Sequence, residues 1–198
     1  FTGPDPYRSA FYAETPEQET ERALAHLRAT IELEGPGTIA AIILESVTGT
    51  NGILIPTPGY LAGVRALCDE FGILMICDEV MTGFGRTGKL FAIEHAGVSP
   101  DILCTSKGLT AGYMPMSLTI TTDEVYDAFY DDFGTHKAFV HSHTYAGNPM
   151  GCAIALTVLK IMKRDHILTK VNENGKYLHE QLMQALGSHK NVGEIRHI

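Results

Sequence analysis

The stretch Ile73–Arg86, ILMICDEVMTGFGR, limits what this chain can fold into more than any other. It opens with five apolar residues in a row, Ile73-Leu74-Met75-Ile76-Cys77, the length of a strand buried on both faces. Two carboxylates, Asp78 and Glu79, follow at once, and then the turn Gly83-Phe84-Gly85. A buried parallel strand that ends in an acid delivers it to the edge where open α/β sheets take their ligands. A lone buried carboxylate is too costly to leave unpaired, so this acid calls for a cationic partner or a change of protonation. The cation can be a side chain, or the protonated ring nitrogen of a bound heterocyclic cofactor.

The flanking segments supply the rest of an α/β unit. Phe1–Thr15 reads as an irregular entry segment. Thr15-Pro16-Glu17-Gln18 combines an N-cap, a proline at the first helical position and acid in the first turn. It predicts a helix to about Glu34 with Ala23, Leu24, Leu27, Ala29 and Ile31 inward, stopped by Gly35-Pro36-Gly37. Ile39–Leu44 is a second buried strand, ending in Glu45-Ser46, and a loop over Val47–Pro58 leads to a helix from about Gly59 to Phe71. Beyond the glycine turn come a short helix within Gly88–Gly97 and a third strand, Ile102-Leu103-Cys104, ending at Thr105-Ser106-Lys107-Gly108. Met116–Thr121 reads as a strand, Thr122/Asp123 as a helix cap and Phe133–Tyr145 as irregular. Asn148–Met162 reads as a closely packing helix and Ile167–Leu186 as a wetter one. This alternation predicts a three-layer α/β/α domain with a mostly parallel sheet.

A chain of 198 residues with 44% hydrophobic content can bury one proper core. Its formal charge of −8 argues against nucleic acid or an anionic membrane as a general partner. No apolar run has the length of a bilayer span. Cys68, Cys77, Cys104 and Cys152 show no CxxC spacing and read as reduced thiols of a cytoplasmic protein, Cys77 and Cys104 in the core. The chain starts at Phe1, and Asn191–Ile198 reads as a strand just beginning, so a piece of a longer polypeptide is expected.

Three strand ends carry polar groups that a core does not require: Glu45-Ser46, Asp78-Glu79 and Ser106-Lys107. In a parallel sheet these ends share one edge and can converge on one cleft. Lys107 is there a candidate Schiff-base amine. The plainer alternative is a lysine closing a salt bridge to Asp101 or Asp78. Gly83–Gly88 matches GxGxxG, but the acids just before it would repel a pyrophosphate, and the following helix is too short for a dinucleotide fold. His141-Ser142-His143 with Asp131/Asp132 matches no strong zinc pattern, so hydrogen-bonded loop histidines are the better reading and no metal is assigned. Thr144 offers a hydroxyl near the start of the Asn148 helix, suited to a phosphate or to an ordinary turn.

Taken together, Glu45-Ser46, CDEVMTGFGRTGKLFA, PDILCTSKGL, GYMP and HTYAGNP resemble, in order and spacing, the class III (omega-amino-acid) aminotransferases. The likeness runs through essentially the whole chain. It implies the large domain of a fold-type-I enzyme that uses pyridoxal 5′-phosphate. Asp78 would pair with the pyridine nitrogen, Val80 would pack on the ring, and Lys107 would bind the cofactor as an aldimine. Thr144 would bind its phosphate across a homodimer interface, with Glu45 and Ser46 also beside the cofactor. The implied reaction moves an amino group from an omega-amino acid or amine to a 2-oxo acid such as pyruvate.

Departures from the family pattern matter too. Met81 stands where the family often has Gln to hydrogen-bond the cofactor's phenolic oxygen, so Ser46, Lys107 or water would take over. Thr50 stands where many members carry a second Glu. The upstream phosphate loop and the C-terminal small domain of the family are not in these 198 residues. ESVTGTNGI and PYRS resemble the taurine–pyruvate branch, and TTDEVYDAFYDD and HSHTYAGNPMGCAIAL the branch that forms 7,8-diaminononanoate. The first is the leading expectation. An NAD(P)-dependent oxidoreductase and an inactive truncated cofactor-binding chain are the alternatives from other classes.

Overall fold

The computed structural model describes residues 1–141 and 143–198. Ser142, the middle residue of the His-Ser-His segment, lies outside them.

Four strands form one sheet in sequential order: β1 (Ala41–Glu45), β2 (Leu74–Asp78), β3 (Ile102–Thr105) and β4 (Leu118–Thr121). β1, β2 and β3 run parallel and β4 is antiparallel to β3. The parallel part needs long crossovers, which helix α2 (Tyr60–Phe71) and the 3₁₀ turn Ala92–Ala96 occupy.

Helix α1 (Pro16–Glu34) begins where the capping signals put it: Thr15 Oγ1 accepts the Gln18 N–H at 3.3 Å, and Gly35, at φ 84°, ends it. Its inward stripe is Glu19, Ala23, Leu27 and Ile31, one residue per turn. Ala29 is exposed, since it sits off this stripe. Against α1 pack Tyr60, Leu61, Val64, Leu67 and Cys68 of α2 and, from the sheet, Ile42, Met75 and Cys77. On the other face Ile43 stays 63% exposed, so the third layer is not completed by this chain's own helices.

Arg65 of α2 pairs with Asp101 at 2.7 Å, and the same carboxylate oxygen accepts the Met75 N–H at 2.6 Å, which ties α2 to the start of β3. The remaining helices are α3 (Asp123–Asp127), α4 (Pro149–Arg164) and α5 (Ile167–Leu186). α4 packs on the turn after β3 through Gly151 and Ala155; a side chain at Gly151 would meet Met116 Sδ at 3.3 Å. Two expected elements are not formed as read. Residues 191–198 form no strand, because no sheet edge pairs with them, and only Ala92–Ala96 of Gly88–Gly97 is helical, as 3₁₀. No helix among the described residues is long and apolar enough to cross a membrane.

Candidate active site

Register and alternation sort the strand ends into two rows. Glu45, Asp78 and Cys104 are direct neighbours across β1, β2 and β3, so their side chains share one face of the sheet. One residue further on, Ser46, Glu79 and Thr105 turn to the opposite, core face, and all three are buried. The half-buried Asp78 uses Oδ1 to accept the Val80 N–H at 2.9 Å, which leaves Oδ2 without a partner among the described residues. Glu45 Oε2 accepts the Gly49 N–H at 2.9 Å. Cys104 is half-buried on the Asp78 face rather than in the core. Burial, and then the Asp78 charge, push its thiol above the ordinary range.

Glu79 is fully buried, and the structure satisfies it without a cation. Its Oε1 accepts the Ser46 hydroxyl at 2.6 Å and the Ile93 N–H at 2.7 Å; its Oε2 accepts the Ala92 N–H at 2.9 Å and the Thr82 hydroxyl. Four donors fill the lone-pair sites of one carboxylate. Ser46, 1% exposed, therefore spends its hydroxyl on Glu79.

Lys107 stands at the end of β3 with φ 29°, left-handed backbone that a long side chain rarely adopts. Such strain costs on the order of 1–3 kcal/mol and gathers at functional positions. The turn is braced by Ser106 Oγ donating to Met116 O at 2.7 Å and Thr110 Oγ1 to Met114 O at 2.6 Å. The ion pair that a structural lysine would make with Asp101 is taken by Arg65. Lys107 is exposed and lines a cavity of about 410 Å³ with Met81, Phe84, Arg86 and Val171 of α5. Gly108 is required there, since a Cβ would lie 2.8 Å from Phe84 Cβ and 3.2 Å from Gly83 O.

The structure thus joins Lys107 to the glycine turn, while Asp78 and Val80 sit one strand over and do not line that cavity. Thr144 is exposed in a turn four residues before the Asn148 cap of α4 and does not line it either. Arg86, Gly108, Glu79 and Val171 were not assigned from sequence, although GFGR and SKG mark the first two. The next element after the Gly83–Gly88 turn is the 3₁₀ turn Ala92–Ala96 and not an α-helix, so the turn opens no helix N-terminus for a dinucleotide phosphate. The His141 and His143 rings meet edge-on at 5.3 Å, and Asp131 pairs with Lys137 at 2.7 Å.

The family model for class-III aminotransferases matches residues 4–198. This chain belongs to that family. The class-III chain is 42% identical over 191 residues to the adenosylmethionine-8-amino-7-oxononanoate aminotransferase of Geobacter sulfurreducens, covering 96% of this chain and 42% of that protein. Among solved structures, it superposes on an amine transaminase from an uncultivated Pseudomonas species in its PLP-bound form with TM-score 0.93 and 38% identity, covering 98% of this chain and 44% of that one. The taurine:2-oxoglutarate aminotransferase of Bifidobacterium kashiwanohense gives TM-score 0.92 at 37% identity, covering 100% and 44%. The class-III chain therefore spans less than half the length of the relatives it matches. Its mostly parallel sheet with flanking helices is that of the fold-type-I transaminases.

Proposed function

We propose that this chain is the central part of the large domain of a pyridoxal 5′-phosphate-dependent aminotransferase and carries its cofactor anchor. The observation that carries this reading is the Lys107 turn: a solvent-facing lysine on strained backbone after β3, its ion pair with Asp101 pre-empted by Arg65, one strand from a carboxylate with an open oxygen. That donor set suits a group with a protonated ring nitrogen and an aldehyde. Asp78 Oδ2 would hold the ring nitrogen's proton, with Val80 against the ring. Lys107 Nζ would bind the aldehyde carbon, and Thr144 would reach the phosphate. Once bound, the cofactor supplies an electron sink for the carbanion at the substrate carbon. With the cofactor bound, Lys107 Nζ would be the base that takes the proton from that carbon. Met81 offers no hydrogen bond to a phenolic oxygen, and Ser46 is committed to Glu79, so water or Lys107 itself remains for that task.

The donor is an omega-amino acid or amine and the acceptor a 2-oxo acid such as pyruvate. A second reading, formation of 7,8-diaminononanoate, is favoured by one observation: the relative carrying that activity in its name is 42% identical, above the 37–38% of the two transaminase structures. We also place a second copy of the chain over the exposed segment that holds Phe133, Val140 and Tyr145. A sedimentation run giving only monomer for the loaded enzyme would remove that copy.

The test uses the longer protein that contains this chain. Wild type is expected to show a cofactor absorbance band that borohydride fixes to protein, and Lys107→Ala to lose both the fixation and turnover. Fixation that survives in Lys107→Ala overturns the assignment. Pyruvate-dependent turnover with amines, against turnover of 8-amino-7-oxononanoate with S-adenosylmethionine, separates the two substrate readings.

A further inference from the structure

Glu79 does more than the proposed reaction asks of it. A buried carboxylate held without a cation is a costly choice for a core position that an apolar residue could fill. The segments it gathers explain the choice. Ser46 follows Glu45 at the end of β1; Thr82 opens the loop whose residues Gly83–Arg86 wall the Lys107 cavity; Ala92 and Ile93 close that loop. The backbone of Glu79 adds two more ties, its N–H to Cys104 O and its carbonyl to Gly83 N, both 2.8 Å. One side chain, on the residue that follows Asp78 in the chain, therefore clamps both ends of the cavity wall.

We propose that Glu79 is a positioning residue of this site: through its four donors it fixes the Gly83–Arg86 wall, and through its backbone bond to Cys104 O the end of β2 that carries Asp78, relative to Lys107. The inference rests on the reading of Asp78 and Lys107 given above. Its geometry makes glutamine a poor substitute. Each carboxylate oxygen faces one hydroxyl, which can rotate, and one backbone N–H, which cannot. Whichever way an amide is turned, its NH₂ opposes either Ile93 N–H or Ala92 N–H.

A built-in control exists. Glu19 is also a buried carboxylate, 1% exposed, but it accepts the Asp5 N–H and the Ser9 hydroxyl and ties only the entry segment to α1. The experiment compares Glu79→Gln, Thr82→Val and Glu19→Gln in the full-length protein. It reads amide exchange at Ala92 and Ile93 without cofactor, the equilibrium Kd for pyridoxal phosphate, and the pH midpoint of the bound cofactor's absorbance. Glu79→Gln is expected to speed exchange at both amides, weaken cofactor binding about tenfold or more and move the midpoint. Thr82→Val should act in the same direction and less, and Glu19→Gln should lower Tm alone. If Glu79→Gln lowers Tm but keeps the wild-type Kd and midpoint, as Glu19→Gln does, the inference is overturned. Should Glu79→Gln not fold, a wild-type Kd and midpoint in Thr82→Val overturns it equally. Failure of the underlying reading shows separately, as wild type that binds no cofactor or fixation that survives Lys107→Ala, before any Glu79 variant is compared.

Discussion

Residues 1–110 and residues 118–198 solve the burial problem differently. Among the described residues, the buried apolar side chains run from Ala23 to Leu109, with Ala155 alone beyond them. The second region instead shows Phe133 and Val140 at 94% exposure and Tyr177 and Leu178 near 60%. The first region holds itself together, and its strand-end acids are set by its own sheet. The second leaves large apolar side chains in solvent, and the relatives this chain matches are more than twice its length.

The comparison can be broken by paired truncations. Leu27→Ala, at a site 1% exposed, should cost the isolated chain about 2–5 kcal/mol in urea unfolding. Leu178→Ala, at 58% exposed, should stay within about 0.5 kcal/mol. In the longer protein the Leu178→Ala cost should grow if a neighbour covers that face. Equal costs for Leu27→Ala and Leu178→Ala in the isolated chain would erase the distinction. A smaller effect tests the border between the regions, where α4 packs on the Lys107 turn. Gly108→Ala should cost about 1–3 kcal/mol, because the collision is with Phe84 Cβ and Gly83 O, which cannot swing aside. A wild-type unfolding midpoint for Gly108→Ala would show that the turn yields more freely than its packing implies.

What could be read from sequence divides along the same line. α1 was legible to within a residue at both ends because its signals, Thr15, Pro16 and Gly35, are local. The strand-end placement of Asp78 and Lys107 was legible because apolar runs and crossover length decide a parallel sheet. The destination of Ser46 was not, since its partner Glu79 lies 33 residues away and only the fold brings them together. The Gly88–Gly97 segment was over-read as helix for the same reason. Its Ala92 and Ile93 N–H groups are drawn to Glu79, 13 and 14 residues earlier. Thr144 was read from its place near the start of the Asn148 helix and from a resemblance that sets it across a dimer interface, so its distance from Lys107 within one chain leaves that reading as it was.

Cys104 offers the finest test of the sheet rows, because it was expected in the core and instead shares a face with Asp78. Burial, and then the Asp78 charge, raise its thiol above the ordinary value, whereas Cys68 and Cys77, deep in the core, are pushed up to about 11 and about 12 mainly by burial. A negative neighbour disfavours the thiolate, so removing it must lower the thiol's pKa and enlarge the reactive fraction at any pH below it. Asp78→Asn should therefore speed alkylation of Cys104 by about two- to threefold near the ordinary thiol pKa, a modest gain because burial remains the larger cause. Cys68 and Cys77 should stay unreactive in both proteins, and the gain should fade at high pH where the thiolate forms in either. Mass-spectrometric labelling rates across pH read this directly. If Cys104 and Cys152 change together, the effect is loosening of the fold; if the Cys104 rate does not change, Asp78 does not face it, and the row across β1, β2 and β3 that defines the site is wrong.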